Sequence, residues 1–271
     1  MREFMDGMNN TAKQFSTVIF SIEKEIGYIK INRSESQNTI NDILVDEITE
    51  ILDLYENKLK VFVLMGNEQY FCNGSDFQEL VNRNEEASIN RQTEKKLFHL
   101  WKRIGQGPYI FLCYVEGIVN AGGIGFIAAC DIAIGNNNAV FSLSEMLFGL
   151  YPAMVLPFLI NKVGFQNAKY LTLSTTKVNA KSAKELGLLD EYEENGHILL
   201  RKTLLRLSCL RKDAIGDCKK YLNSLSNTID ENVQSMAINE NKKIFENETN
   251  VKLIHRYVSE GKLPWERDWG E

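Results

Sequence analysis

Between Ser16 and Ile31 the chain reads STVIFSIEKEIGYIKI, two short runs rich in β-branched and aromatic residues with a break near Glu23 to Gly27. That pattern predicts two strands joined as a hairpin. Ile40, Ile43, Leu44, Ile48, Ile51, Leu52 and Tyr55 then recur at three- and four-residue spacing with acidic residues between them, which predicts an amphipathic helix capped by Asn38 or Asn41. VFVLM (61–65) is a continuous apolar run, the mark of a strand covered on both faces. The loop NEQYFCNGSD follows it, and a helix is expected from Asp76. A polar stretch, NRNEEASINRQTEKK, leads into the helical LFHLWKRI. Pro108 then breaks the chain before a second buried strand, YIFLCYV (109–115). GIVNAGGIGFIAACDIAIG repeats the order with a glycine-rich turn, a small-residue helix and another strand. The order of strand, loop and helix thus recurs, without a tight repeat of 20–50 residues.

Beyond about residue 200 glycine thins out and amphipathic helical pattern dominates, as in Leu199, Leu200, Leu204, Leu205 and Leu207 and in the stretch from Val233 to Phe245. The division expected is a core over 1–200 and a C-terminal helical region over 201–271, the alternative being further helices on one core. Composition adds exclusions. With 44% hydrophobic and 25% charged residues the 271-residue chain can bury a sizeable core. A net charge of −5 offers no positive field to a phosphate backbone, so nucleic acid is not expected as a partner. Five cysteines without a Cys-x-x-Cys spacing argue against disulfides and a zinc knuckle and fit a reducing cytoplasm. The N-terminal sequence shows no signal-peptide pattern and no apolar run is long enough to span a bilayer, so a cytosolic protein is expected.

The chemistry is concentrated in two loops, FCNGSD (71–76) and NAGGIG (120–125), each following a buried strand. One such glycine turn alone signifies a tight bend. Two in matching contexts suggest backbone N–H groups at the start of helices, aimed outward to hold a developing oxyanion. VFVLMGNEQYFCNGSDFQEL, VEGIVNAGGIGFIAACDIAIG and FSLSEMLFGLYP resemble, in order, the three signatures of the enoyl-CoA hydratase/isomerase (crotonase) superfamily. NTIND, FCNGSDFQE, VNAGGIGF, FSLSEMLFGLYPA and LPFLI are most similar to the dehydratases of bacterial polyketide β-branching cassettes.

The resemblance implies an α/β crotonase fold, a spiral of repeated ββα units with C-terminal helices used for trimerisation. It places the two oxyanion donors on the backbone N–H groups of Ser75 and Gly122, and a catalytic glutamate on Glu145. The other glutamate of the family's hydratases would fall at position 125, where this chain has Gly125. Taken alone, Glu145 reads equally as a helix cap or a solvated charge. Asn120, just before the second turn, is a further candidate for contact with substrate. Asp76 reads as a helix N-cap, and Asp131 as a hydrogen-bonded turn residue. Ser75 is not expected to be a nucleophile, because none of His99, His197 and His255 sits in a triad motif.

The implied reaction is dehydration of a 3-hydroxy-3-methylglutaryl thioester to the 3-methylglutaconyl thioester. The acyl group would ride on the phosphopantetheine of an acyl carrier protein, with CoA as an alternative carrier. No permanently bound cofactor and no metal are implied, and a homotrimer is expected. Arg91, Lys95, Lys96, Lys102 and Arg103 are candidates for the distal carboxylate, and the lysines and arginines of 91–103 and of KLPWER (262–267) for a patch that meets the carrier's acidic surface. The missing glutamate keeps other crotonase reactions open, namely hydration, isomerisation and decarboxylation, as well as a non-catalytic carrier-binding subunit.

Overall fold

The computed structural model describes residues 15–78, 91–226 and 228–266. The hairpin forms as β1 (Val18–Glu23) and β2 (Ile26–Ile31), paired antiparallel from Val18–Ile31 to Glu23–Ile26. Helix α1 (Asp42–Tyr55) starts at Asn41, whose side chain accepts from the Leu44 N–H at 3.0 Å. Asn38 does not cap it; its side chain accepts from Arg33 N–H and donates to the Tyr70 carbonyl. Of the stripe expected to face inward, Leu44, Ile48, Ile51 and Leu52 are fully buried, while Ile43 is 52% exposed.

Three strand pairs follow: β3 (Val61–Met65) with β4 (Tyr70–Cys72), β5 (Ile110–Val115) with β6 (Ile118–Asn120), and β7 (Ile132–Asn136) with β8 (Val140–Ser142). Helix α2 (Arg91–Gln106) precedes β5, α3 (Gly122–Ala129) follows β6, and α4 (Leu156–Ser174) follows β8. The first strands of the three pairs lie parallel in a six-stranded sheet, order β1-β2-β3-β5-β7-β10, with β10 at Glu191–Glu193. The second strands lie parallel in a four-stranded sheet, order β4-β6-β8-β9, closed by the short antiparallel β9 (Val178–Asn179). Each pair therefore contributes one strand to each sheet, the spiral of ββα units. From sequence the short strands β4 and β6 fall within segments read as loop and turn, because two or three apolar residues show no period. Of the helix expected from Asp76, residues 77 and 78 are helical and 79–90 lie outside the described residues.

Successive side chains of a strand point to opposite faces, so β3 and β5 feed two cores at once. Phe62, Leu64, Phe111, Cys113 and Val115 join the main core, and Val61, Val63, Ile110, Leu112 and Tyr114 join a second. That second core is covered by Leu199, Leu200, Leu204 and Leu207 of α6 (Gly196–Ser208), a helix that follows the short α5 (Ala180–Glu185) and runs across residue 200. Each of these leucines contributes roughly 2 kcal/mol of burial, so α6 packs as part of the sheet assembly and the division expected after residue 200 falls inside it. Helices α7 (Lys212–Ser226), α8 (Glu231–Glu246) and α9 (Glu248–Glu260) complete the chain. No helix among the described residues is long and apolar enough to cross a membrane. The five cysteines are free thiols.

A buried ion pair pins α7 to the core. Lys219, 7% exposed, donates to Asp131 Oδ2 at 2.7 Å and to the carbonyls of Tyr109 (2.8 Å) and Ile104 (3.4 Å). Asp131 also accepts from Phe111 N–H at 2.7 Å, so it is hydrogen-bonded at its turn, with a partner 88 residues away that the sequence did not reveal. Burial dominates both groups, raising the Asp131 pKa and lowering that of Lys219. Removing one member strands the other charge in the interior. Lys219→Met is expected to lower the unfolding free energy by about 3 kcal/mol in urea denaturation. Adding Asp131→Asn to that variant should recover part of the loss; an additive double variant would show that the two groups are not coupled.

Candidate active site

A cavity of about 1050 Å³ opens between the two glycine loops, the turn after β8 and the last two helices. Ser75, Asn120, Gly122 and Glu145 all line it. Of the expected cations, Lys96 is held by Asp46 at 2.8 Å, and Arg103 by Asp53 and Glu56 at 2.5 and 3.0 Å, all on or just after α1. Lys262 pairs with Glu260 at 3.0 Å. None of Lys95, Lys96, Lys102, Arg103 and Lys262 lines the cavity, and the Arg91 side chain and Arg267 lie outside what is described.

The two loops meet directly. Ile40 N–H donates to the Gly74 carbonyl (2.7 Å) and Asp76 N–H to the Ile40 carbonyl (3.1 Å), a parallel bridge that fixes the loop on either side of Ser75. The Ser75 N–H enters no hydrogen bond within the chain among the described residues, nor does that of Gly122, the first residue of α3. Gly74 has φ +89°, and a β-carbon there would lie 2.9 Å from Ala121 Cβ, so both backbone conformation and space require glycine. Across the contact Ala121 adopts φ 48°, ψ −123°, a sparsely populated region for an L-residue that stores roughly 1–3 kcal/mol. Ala121 N–H is tied to the Ser142 carbonyl at 3.0 Å, which holds the strained turn in place. A β-carbon on Gly122 would lie 3.8 Å from Ser75 Oγ. Ser75 and Gly122 thus stand side by side at the cavity wall with N–H groups that nothing among the described residues takes up, the second at a helix N-terminus, an arrangement suited to an oxygen gaining negative charge.

Glu145 opens a 3₁₀ turn, Glu145–Phe148, that ends at Gly149 in the left-handed region. Its Oε2 is enclosed and has no hydrogen-bond partner among the described residues. Desolvation pushes its pKa up to about 7. A carboxyl so placed can exchange a proton near neutral pH. Asn120 ends β6 at the cavity wall, and its Oδ1 accepts from Ser142 Oγ at 2.8 Å. None of the three histidines lines the cavity.

The sequence matches the family described as enoyl-CoA hydratase/isomerase over residues 21–268. The chain belongs to the enoyl-CoA hydratase/isomerase family. It is 40% identical over 253 residues to the bacillaene synthase dehydratase PksH of Bacillus subtilis (strain 168), covering 93% of this chain and 97% of that one. A Bacillus subtilis crystal structure described as a polyketide biosynthesis enoyl-CoA hydratase (pksH) superposes with a TM-score of 0.89 over 93% of this chain and all of that one. The mevalonyl-coenzyme A hydratase sidH of Aspergillus fumigatus is 30% identical over 63% of this chain and 64% of its own.

Within the family fold, position 125 has a physical reason to be glycine. A β-carbon at Gly125 would lie 2.3 Å from Cζ2 and 2.5 Å from Cε2 of Trp101, so the indole fills the space a glutamate would need. Trp101, 1% exposed, packs edge-on against Phe126 and Phe158 at centroid distances of 6.0 and 5.7 Å, and it also lines the cavity. In the sequence it is one more apolar position of LFHLWKRI. Arg33, also at the cavity wall and without a motif to mark it in the sequence, is paired with Asp76 at 2.9 Å and donates to the Thr39 carbonyl. Asp76 precedes the helical residues 77–78, and its carboxylate receives Arg33 and, at 3.1 Å, the Thr39 hydroxyl. No group of three or more His, Cys, Asp or Glu among the described residues is arranged to hold a metal ion.

Because its pKa is raised in the folded chain, Glu145 binds its proton more tightly there than when unfolded. The favourable contribution of that proton is complete below the unfolded value of 4.5 and is lost as pH rises through about 7. Glu145→Gln removes this dependence. The variant is expected to be more stable than the parent by about 3 kcal/mol at pH 8, the gain shrinking toward zero near pH 4. Parallel urea melts across that range test this, and a difference that does not change with pH would show that Glu145 is not buried as described.

Proposed function

We propose that this protein is a dehydratase of polyketide β-branching that removes water from a 3-hydroxy-3-methylglutaryl thioester on an acyl carrier protein, leaving the 3-methylglutaconyl thioester. The reading rests above all on one observation: Glu145, whose enclosed Oε2 has no partner among the described residues, lines the same cavity as Ser75 and Gly122, whose N–H groups are uncommitted there. The 40% identity with the bacillaene synthase dehydratase supports the pathway. In the proposed reaction the two N–H groups hold the thioester oxygen and lower the energy of enolate character by a few kcal/mol. Glu145 takes the proton from C2, the C2–H electron pair becomes the C2–C3 double bond, and the C3–O bond breaks. The oxygen leaves as water with the proton that Glu145 returns, so one carboxyl group serves as base and then acid. Asn120 lies at the cavity wall where it can contact the acyl chain. The enzyme carries no permanent cofactor in this scheme and works in the cytoplasm.

Mass spectrometry of a 3-hydroxy-3-methylglutaryl carrier protein incubated with the enzyme should show loss of one water. Glu145→Gln should reduce the rate by at least about 100-fold. The parent's turnover should rise with pH to a plateau, with its midpoint near pH 7, as the base ionises. An unchanged acyl mass, or near-parental turnover by the variant, would overturn the reading.

We further propose a homotrimer, with the C-terminal region used in assembly. Tyr221, Leu222 and Leu225 of α7 and Phe165, Tyr170 and Leu173 of α4 are between 48% and 67% exposed, an apolar surface suited to burial between subunits. Light scattering at micromolar concentration should return three times the chain mass; a stable monomer would count against it.

A further inference from the structure

Asn120 reaches the cavity with one end of its carboxamide already tied down. It ends β6, an inner strand of the four-stranded sheet, and in register with it on β8 stands Ser142, whose hydroxyl donates to Asn120 Oδ1 at 2.8 Å. Ser142 is buried and its carbonyl also holds the Ala121 N–H, so the anchor is itself fixed. In a planar carboxamide the nitrogen points away from the oxygen, which turns Nδ2 away from Ser142. That nitrogen carries two donors. It meets no acceptor among the described residues, and it stays accessible. Successive side chains of a strand point to opposite faces. Val119 points into the main core, so Asn120 points to the other face of β6, and the open space it lines is the cavity.

Its place in the fold sets this donor beside the groups assigned to the reaction. Gly122 follows Asn120 by two residues, and Glu145 follows its register partner Ser142 by three. The acyl group offers a thioester oxygen, a distal carboxylate and the C3 oxygen. The first is assigned to the N–H groups of Ser75 and Gly122. The second carries a full charge, which a cation offsets and a neutral amide does not. The C3 oxygen remains. It is uncharged at rest and gains negative charge as its bond to carbon breaks, so a fixed donor stabilises it more in the transition state than in the bound substrate.

Resting on the dehydratase reading, we propose that Asn120 is a further catalytic residue, whose Nδ2–H donates a hydrogen bond to the C3 oxygen as it departs, and that Ser142 is the positioning residue that holds the amide for it. The balance of the reaction is unchanged. The proton comes from C2 by way of Glu145, the C2–H electron pair becomes the double bond, the oxygen leaves as water, and the amide keeps both its protons.

The test separates loss of the C3 oxygen from removal of the C2 proton. Dehydration is followed on the 3-hydroxy-3-methylglutaryl carrier protein, and exchange of the C2 proton with deuterium on the 3-methylglutaryl carrier protein, which has no oxygen at C3. Asn120→Ala and Asn120→Leu should lower kcat for dehydration by about 10- to 100-fold, at the lower edge of what loss of one preorganised donor produces, and leave exchange within about threefold of the parent. Ser142→Ala keeps the amide and removes its anchor; it should lower dehydration about three- to tenfold, again with exchange retained. Parental dehydration by either Asn120 variant would overturn the proposal. So would a loss of dehydration matched by an equal loss of exchange, which would place Asn120 in support of the loops only. Where both Asn120 variants fail to fold, Ser142→Ala decides: a fall in dehydration with exchange retained supports the proposal, and parental dehydration overturns it. A parent that exchanges the C2 proton but releases no water removes the dehydratase reading and the proposal with it, whereas an active parent with unaffected variants removes only the role of Asn120.

Discussion

The contact between Gly74 and Ala121 is the constraint on which the site depends. Two loops from different ββα units approach so closely that a single added β-carbon would overlap the alanine, and that approach brings Ser75 and Gly122 to one cavity wall. The approach is held from outside. Ile40 bridges to the loop around Ser75 on one side, and Ser142 fixes the Ala121 N–H on the other. The backbone strain at Ala121 persists because those bonds leave the turn no alternative. The N–H groups of Ser75 and Gly122 belong to the main chain, so serine at 75 does not alter what its N–H can donate.

The elements with long, strongly periodic patterns were legible in the sequence. Helix α1, the buried strands β3 and β5 and the hairpin all lie within a residue or two of where hydrophobic spacing puts them. The family, too, was carried by three ordered motifs. What escaped were features without a local signal. Strands β4 and β6 are too short to show a period, yet they belong to the second sheet and align the glycine loops. The Lys219–Asp131 pair joins residues 88 apart, and nothing near Lys219 distinguishes it from a solvated lysine of an amphipathic helix. Trp101 could have been reached by only one route: a glycine where a carboxylate was expected implies a large neighbour, but no spacing says which.

Charge in this chain is spent mainly on the outside of the site. Lys96 and Arg103, which sit in a run that reads as a basic patch, reach across to acids on and beside α1 and tie α2 to it. The patch is therefore less positive than its sequence suggests, and its first effect is to hold two helices together. At the cavity wall Arg33 is paired with Asp76 in a half-buried cluster with Thr39, an arrangement that orders the segment entering the first loop.

The roof of the cavity comes from the other end of the chain. Phe148 packs against Phe77 and against Tyr257 of α9 at centroid distances of 6.0 and 5.2 Å, and Ile244 and Ile254 complete the cluster. Tyr151 donates to Glu240 on α8 at 2.6 Å. These contacts begin directly after Glu145, so α8 and α9 dock on the turn that Glu145 opens. Desolvation is the largest influence on that group and is what brings its pKa to about 7. Glu145 thus sits where the turn after β8 meets the helices that roof the cavity. Rehydrating the carboxyl would return it toward an ordinary glutamate, ionised at neutral pH but a weaker base. The C-terminal helices therefore bear on the cavity by packing against the turn that carries Glu145.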